Sequence, residues 1–141
     1  MDAIWVKNPL EFISSDYDII SSTGIFPLQV SEKNGFALCM GWIYLSPSDI
    51  VKSIFNNIFL KYPNRFDDQW VFNVELFSLK TASKFNPLYK ELKLKVLDQS
   101  IVSRAEPHNS KTYVVHPHSP KHIDREQFLK DKNLWNLNDK S

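Results

Sequence analysis

The sequence predicts an α/β domain in which a mixed sheet is flanked by helices. Apolar runs of strand length alternate along the chain with segments of helical periodicity, and no internal repeat interrupts them. With 141 residues, 43% of them hydrophobic, the chain is long enough to bury the core of one domain. The predicted strands cover residues 3–6, 18–22, 36–45, 92–97 and 112–115. The predicted helices are one that opens at Ser46 and ends before Pro63, one over residues 67–79 and a last segment that begins at Asp124.

The first half of the chain contains the most apolar strand and the clearest helix start. Residues 23–34 are predicted to form a loop, because glycine and proline supply turn signals there. Residues 36–45 are too apolar for a surface strand and predict a central strand covered on both faces. Within this strand, Gly41 marks a bulge or the close approach of a ligand or another backbone. Ser46 is the predicted N-cap of the following helix, with Pro47 at its first position.

The next helix is predicted to begin with a polar turn. Asp67 is its N-cap, and Asp68 and Gln69 fill the first turn, where unpaired backbone N–H groups favour negative charge. Asn73 lies one turn further on, so that carboxylates and amides share one rim that can bind sugar hydroxyls. The alternative is that Asp67 only caps the helix and Asp68 is solvated. The core-facing stripe of this helix comprises Trp70, Val74 and Phe77.

Composition excludes several functional classes. The formal net charge of +1 indicates no strong attraction to nucleic acid or to an anionic membrane. Cys39 is the only cysteine, so the chain has neither an internal disulfide nor a cysteine-based zinc site. Cys39 also has no local signature of a catalytic nucleophile. No apolar run approaches the roughly 20 residues that span a bilayer, and no targeting signal is recognisable in this chain.

Titratable residues at the two ends of the sequence suggest a metal site. Asp2 precedes the first predicted strand, and His116 and His118 follow the last one. If these strands are neighbours, a carboxylate and an imidazole converge on a divalent cation such as Mn²⁺, which accepts oxygen and nitrogen ligands. Lys121 and Arg125 follow closely and can neutralise phosphate oxygens. The alternative is an exposed His-Pro-His turn with no bound metal.

Four segments that occur in order carry a resemblance to a known family. They are MDAIWVKNPL at residues 1–10, LCMGWIY at residues 38–44, DQWVFN at residues 68–73, and VVH at residues 114–116, the last followed by Lys121 and by Leu134 with Trp135. The first segment resembles the end of an Asp-x-Asp motif with its Trp and Asn/Asp-Pro-Leu continuation, and the second resembles the strand after a mid-domain loop. The third segment resembles an Asp-Gln-x-x-x-Asn signature, and the fourth resembles a C-terminal block. The chain is thereby similar to the nucleotide-diphospho-sugar transferase family.

This family has the Rossmann-like GT-A architecture and includes plant cell-wall arabinosyl-, galactosyl- and xylosyltransferases. The resemblance implies transfer of a hexose or pentose from a nucleotide-diphosphate sugar to a hydroxyl of a glycan or glycoprotein, with Mn²⁺ or another divalent cation on the diphosphate. It also implies a Golgi or secretory-pathway membrane location for the full-length protein. The implied site residues are Asp2 and His116 as metal ligands, Asp68 and Gln69 as the catalytic pair beside the sugar, and Asn73, Gly41 and Lys121 as substrate-binding residues.

The sequence departs from the family pattern at two places. Met1 stands at the middle position of the Asp-x-Asp motif, and the family's glycine before the lysine has no counterpart between His116 and Lys121. We therefore expect residues 1–135 to be the C-terminal, acceptor-side part of the transferase domain, without its nucleotide-binding half, and residues 136–141 to be a frayed tail. One alternative is a non-catalytic remnant that binds carbohydrate or another partner. Another is a small metal-dependent phosphoesterase that uses Asp67 and Asp68 with the histidines.

Overall fold

The computed structural model describes residues 3–65, 67–77, 86–104 and 110–116, together with residues 127, 130 and 131. These residues form two mixed sheets with helices packed beside them, which confirms the predicted α/β class. Within the described residues, no helix has the length and apolar character needed to cross a membrane.

The predicted strands and helices that fall on described residues occur in the predicted order, with one helix and one strand in addition. The strands are β1 (Ile4–Trp5), β2 (Ile19–Gly24), β3 (Ala37–Leu45), β4 (Leu94–Leu97), β5 (Val102–Ser103) and β6 (Val114–Val115), the helices are α1 (Leu28–Asn34), α2 (Asp49–Lys61) and α3 (Asp68–Leu76), and 3-10 turns cover Pro9–Phe12 and Pro87–Tyr89. The additional elements are α1 and β5. One sheet has the strand order β3-β2-β4, with β2 antiparallel to β3 and parallel to β4. The other has the order β1-β6-β5, with β6 antiparallel to β1 and parallel to β5.

The first sheet is buried between α2 and α3 on one face and the second sheet on the other. Because successive strand residues point to opposite faces, β2 contributes to both cores. Ile19 packs with residues of α2 and α3, whereas its neighbour Ile20 packs with Trp42 of β3 and Val114 of β6. This arrangement brings the end of β6 to the face of β3 that is turned away from the helices.

The position predicted for β3 is wrong in one respect. Both faces of the strand are covered, as predicted, but among the residues that the structure describes β3 lies at the edge of its sheet rather than at the centre. Its free edge is covered by α3, because the Asn73 side chain accepts a hydrogen bond from the Leu38 N–H (2.6 Å) and donates one to the Leu38 carbonyl (2.9 Å). A side chain thus takes the place of a neighbouring strand and protects the edge.

Two further local predictions are wrong. The predicted loop at residues 23–34 contains α1, a seven-residue helix that ends at Gly35 in the left-handed conformation (φ 82°). This helix is too short to produce a clear periodic pattern, and only its C-terminal glycine signal is visible in the sequence. The next helix begins at Asp49 rather than after Ser46. The Ser46 N–H instead donates to the Asp18 carbonyl (2.8 Å), which joins the end of β3 to the start of β2.

The Asp18 carboxylate ties the same corner together and gives a testable pH dependence. Its oxygen accepts a hydrogen bond from the Lys93 N–H at 3.0 Å. Burial alone would raise the pKa of Asp18, but hydrogen bonds from the Lys93 N–H and from neighbouring serine hydroxyls outweigh burial and hold the pKa below the ordinary value of 3.8. A carboxylate with a lowered folded-state pKa stabilises the fold above pH 3.8, and this contribution is lost as the pH falls through the folded-state pKa.

We expect Asp18→Asn to lower the free energy of unfolding by about 1 kcal/mol at neutral pH, because the charged acceptor of the Lys93 N–H is lost. The difference between the variant and the wild type should shrink as the pH falls below 3.8. Urea denaturation of both proteins at neutral pH and at about pH 3 measures this difference. A difference that does not change with pH would contradict the assigned role of the carboxylate.

The C-terminal predictions fall largely outside the described residues. Of the helix predicted to begin at Asp124, the structure describes only residues 127, 130 and 131, and these three are helical. The predicted docking of residues 134–135 and the tail at 136–141 lie outside the description. Residues 81–85 of the loop predicted at 81–89 are also outside it, and the loop's described end forms the Pro87–Tyr89 turn, with Tyr89 buried in the core.

Candidate functional site

The antiparallel pair of β2 and β3 contains a large bulge. Ser21 is paired with Ile43, but the next residue, Ser22, is paired with Cys39, so one step along β2 corresponds to four along β3. The three intervening residues of β3, 40–42, have no partner on β2. Gly41 lies at the centre of this segment, which confirms the prediction that it marks a bulge.

Two side chains satisfy backbone groups that the bulge takes out of the ladder. The Ser21 hydroxyl donates to the Cys39 carbonyl at 2.9 Å. From α3, Gln69 Oε1 accepts a hydrogen bond from the Met40 N–H at 3.2 Å. Because buried backbone groups without partners are costly, these bonds hold the bulge in one shape. Side-chain hydrogen bonds therefore stabilise the bulge, and Gln69 provides one of them.

His116, directly after β6, lies against Gly41. A Cβ atom added to Gly41 would be 2.2 Å from Cε1, 2.3 Å from Nε2 and 2.4 Å from Nδ1 of the imidazole, so no residue with a side chain fits there without displacing the ring. The His116 N–H donates to the Ser103 carbonyl at 2.8 Å, which anchors the backbone of this residue to β5. The absence of a side chain on Gly41 therefore creates the space that the His116 ring occupies.

A second contact fixes the orientation of the imidazole. The Cys39 Sγ lies 3.3 Å from His116 Nδ1. Cys39 is fully buried, and it stands two residues before Gly41 on the same strand. Ser22, its register partner on β2, is also fully buried, and its hydroxyl has no hydrogen-bond partner among the described residues. The Cys39 thiol is therefore the side-chain group that fixes the Nδ1 side of the ring.

The first turn of α3 lies beside the bulge and carries the predicted catalytic pair. Asp67 caps the helix as predicted, because its carboxylate accepts a hydrogen bond from the Trp70 N–H at 2.8 Å. Asp68 is exposed, and one of its oxygens accepts from the Gln69 N–H at 2.6 Å. The Gln69 Nε2 donates to the Phe26 carbonyl at 2.8 Å, which ties the loop after β2 to the same turn. Asp68 is therefore the member of the pair that reaches solvent.

Asn73 lies on the side of α3 that faces the sheet, away from solvent. It is fully buried, and besides its two bonds to Leu38 its amide donates to the Gln69 carbonyl at 2.8 Å. The substrate-binding role stays a prediction for this residue. The observed contacts instead position α3 against β3 at the level of the bulge.

The two strands that flank the predicted metal ligands are neighbours. Ile4 is paired with Val115 and Trp5 with Val114, so β1 and β6 run side by side, as convergence of Asp2 and His116 requires. Asp2 itself lies outside the described residues, as do His118 and Lys121. Within the described part of the chain, no group of three His, Cys, Asp or Glu side chains could hold a metal ion.

Arg104 and Cys39 also lie near the predicted site residues. The sequence pattern does not single out either of them as a site residue. A Cβ added to Gly24 would lie 2.7 Å from Arg104 Nη1 and 3.6 Å from Gln69 Nε2, so a guanidinium stands beside the first turn of α3. Arg104 follows the two-residue strand β5, which is too short to recognise from sequence. The sequence does contain a signal for Cys39, because residues two apart on a strand share a face and Gly41 is the predicted bulge residue.

Three of the predicted site residues thus come together from three separate elements: Gln69 of α3, Gly41 of β3 and His116 after β6.

Comparison with known proteins gives one finding. The model of a family described as nucleotide-diphospho-sugar transferase matches residues 1–126. No curated protein and no solved structure matches the chain.

Proposed function

Because the chain belongs to the nucleotide-diphospho-sugar transferase family, we propose that it forms the acceptor-side part of a metal-dependent glycosyltransferase active site. The observation that carries the proposal is the convergence of Gln69, Gly41 and His116 at the β3 bulge. In this proposal the reaction transfers a hexose or pentose from a nucleotide-diphosphate sugar to a hydroxyl of a glycan or glycoprotein. The Golgi or secretory-pathway location of the full-length protein belongs to the same proposal and rests on the family resemblance.

His116 fits one position of a divalent-cation site. Its ring occupies the cradle left open by Gly41, and Cys39 contacts Nδ1, so the ring has one orientation. Asp2 is the second proposed ligand, on the family resemblance. A set of one or two protein ligands suits an ion that is held partly by the phosphate oxygens of a substrate. Such a cation, Mn²⁺ in this proposal, stabilises the negative charge that develops on the leaving diphosphate.

The remaining residues bind and orient the reactants. Asp68 presents an exposed carboxylate that can accept a hydrogen bond from a sugar hydroxyl, and we assign it the catalytic role beside Gln69. Gln69 bonds both Met40 and Phe26, which positions this pair relative to the bulge. Lys121 is proposed to contact the diphosphate on the family resemblance.

We revise the proposed role of Asn73 from substrate binding to positioning. Its amide is buried and already bonded to the backbone at Leu38 and Gln69. Gly41 is likewise proposed to act through the ring of His116, which occupies the space beside its Cα. Both residues fix the relative placement of α3, β3 and the imidazole.

Two substitutions in the native full-length protein test this assignment. Asp68→Asn is expected to lower sugar transfer about 100-fold, because a positioned carboxylate is lost, with a far smaller effect on nucleotide-diphosphate binding. His116→Ala is expected to weaken Mn²⁺-dependent donor binding by about tenfold or more, which is typical even of a lost outer-shell metal contact. Initial rates and calorimetric titration with UDP or GDP in the presence of Mn²⁺ measure the two effects separately.

Equal loss of transfer and nucleotide binding in Asp68→Asn would argue against the placement of Asp68 beside the sugar. Unchanged metal dependence in His116→Ala would remove His116 from the ligand set. If the native protein binds saccharides but no nucleotide diphosphate with Mn²⁺, the non-catalytic carbohydrate-binding alternative replaces the transferase.

A further inference from the structure

A cavity of about 260 Å³ lies between α2 and α3. We call it the α2–α3 cavity. Three residues of α2 at spacings i, i+3 and i+4 share one helix face and form its wall: Phe55, Ile58 and Phe59. Tyr62, directly after the helix, extends that wall. Met40 of the bulge and Asp68 of α3 also line it. The cavity therefore begins at the proposed active site.

The lining combines aromatic faces with charged groups. Phe55 and Phe59 supply ring surface, whereas Asp68 and Arg65 supply a carboxylate and a guanidinium. Phe59 leaves 71% of its surface exposed. Aromatic faces accommodate the C–H faces of a saturated ring, and the two charged side chains accept and donate hydrogen bonds to hydroxyls. A purely apolar chain would use the aromatic part of this lining but not its hydrogen-bonding groups.

The size of the cavity indicates a ligand of one ring. Pockets for drug-sized ligands span about 300–1,000 Å³, and this cavity is slightly smaller than that range. An extended oligosaccharide or peptide would have to project into solvent beyond the first unit. The cavity thus suits the terminal ring of a larger acceptor.

Contacts around the cavity hold its wall in place before any ligand binds. Tyr62 packs edge-on against Trp70 at 5.8 Å between ring centroids, and the Arg65 guanidinium lies 4.4 Å from the centre of the same indole. On the inner side, Phe55 packs against Phe72 at 5.8 Å. A wall that is already ordered reduces the entropy lost on binding.

The first turn of α3 connects this cavity to the donor side. Consecutive residues of a helix project about 100° apart, so Asp68 and Gln69 point in different directions from the same turn. Asp68 lines the cavity, whereas Gln69 bonds the Met40 N–H at the bulge where His116 lies. A hydroxyl bonded to Asp68 would therefore stand one residue away from Gln69, which holds the backbone of the bulge that the His116 ring contacts.

We propose that the α2–α3 cavity is the acceptor subsite and that it takes one saccharide ring, stacked on Phe59 and bonded through a hydroxyl to Asp68. This inference rests on the proposed glycosyltransferase function and specifies where and how the acceptor binds. The occupant is a hydroxylated saturated ring, because that chemistry matches both the aromatic and the charged parts of the lining.

Helix α2 offers a matched pair of variants for the test. Phe59 and Leu60 are adjacent, exposed apolar residues, at 71% and 80% exposure, but only Phe59 lines the cavity. Phe59→Ala is expected to raise the acceptor KM of the native protein about tenfold, the equivalent of one stacking contact, with a much smaller change in the donor KM. Leu60→Ala should leave both constants at the wild-type values. Neither substitution removes a core contact, so both variants should fold.

A binding titration separates the failure of this inference from the failure of the proposed function. Methyl pyranosides and furanosides of common hexoses and pentoses are titrated into ¹⁵N-labelled protein, and shifts of the Phe59, Tyr62 and Asp68 amides are followed. Shifts that occur in the wild type and Leu60→Ala but not in Phe59→Ala support the subsite even if no sugar transfer is found. The inference is overturned if no glycoside shifts these amides, or if transfer occurs and both variants keep the wild-type acceptor KM.

Discussion

Gly41→Ala is expected to weaken Mn²⁺-dependent donor binding by about tenfold or more, as is expected of His116→Ala, and to lower kcat/KM by about 100-fold. The added methyl group would lie 2.2–2.4 Å from three atoms of the His116 ring, closer than any real Cβ contact. The backbone of His116 is held by its hydrogen bond to Ser103 and by the pairing of β6, so the ring itself must turn away. A displacement of about 1 Å at a reacting centre is enough for a loss of this size. Donor titration with UDP or GDP and Mn²⁺, together with initial rates, measures the effect.

Gly35→Ala is the matched control for this substitution. Gly35 has a φ of 82°, so an added methyl group strains the end of α1, but no atom lies within 4 Å of the new Cβ. We expect this variant to lose about 1 kcal/mol of stability and to keep donor binding. The comparison separates a general cost of replacing glycine from displacement of the imidazole.

A double-mutant cycle makes the interpretation of Gly41→Ala specific. If the methyl group acts only through the ring of His116, Gly41→Ala should have little further effect in a His116→Ala background. Additive losses would show instead that Gly41 contacts the substrate directly, as the family resemblance implies for a substrate-binding residue. Wild-type metal dependence in the single variant Gly41→Ala would contradict the placement of His116 in the site.

The parts of the fold that the sequence predicts are those specified by local pattern. The N-cap at Asp67 and the end of α2 before Pro63 are set by residues a few positions apart, and both are confirmed. The edge position of β3 depends on which strands pair, and that is decided by contacts between distant residues. An apolar strand whose open edge is covered by Asn73 has the same local composition as a central strand.

The candidate site shows the same difference between features set by local sequence and features set by contacts between distant residues. Motif resemblance predicts Gln69 and His116, and a glycine inside a strand predicts Gly41; in the structure Gln69 bonds Met40 while His116 contacts Gly41 at the same bulge. Their mutual contacts were not predictable, because the space for the His116 ring depends on the pairing of β6 and on the bulge in β3. Arg104 was missed for a related reason, since β5 is recognisable only through its pairing with β6.

Asn73→Leu is expected to produce the largest loss of stability among the substitutions considered, about 4 kcal/mol. Leucine is similar in size but can neither accept from the Leu38 N–H nor donate to the Leu38 carbonyl, and both groups lie in a fully buried part of the strand. Each buried group left without a partner costs roughly 1–3 kcal/mol. Urea denaturation at neutral pH measures the loss, which should also loosen the contact between Gln69 and the bulge.

Asn73→Asp tests whether the donor half of this amide matters separately from its acceptor half. A carboxylate can still accept from the Leu38 N–H, but it is charged, buried and placed against the Leu38 carbonyl. Its folded-state pKa should rise, so the penalty relative to wild type is largest at neutral pH and decreases as the pH falls and the carboxyl group is protonated. Asn73→Leu has no titrating group and should show a penalty that does not depend on pH. If the two variants lose the same stability at every pH, the two hydrogen bonds to Leu38 do not hold the edge of β3, and its protection must come from apolar packing with α3.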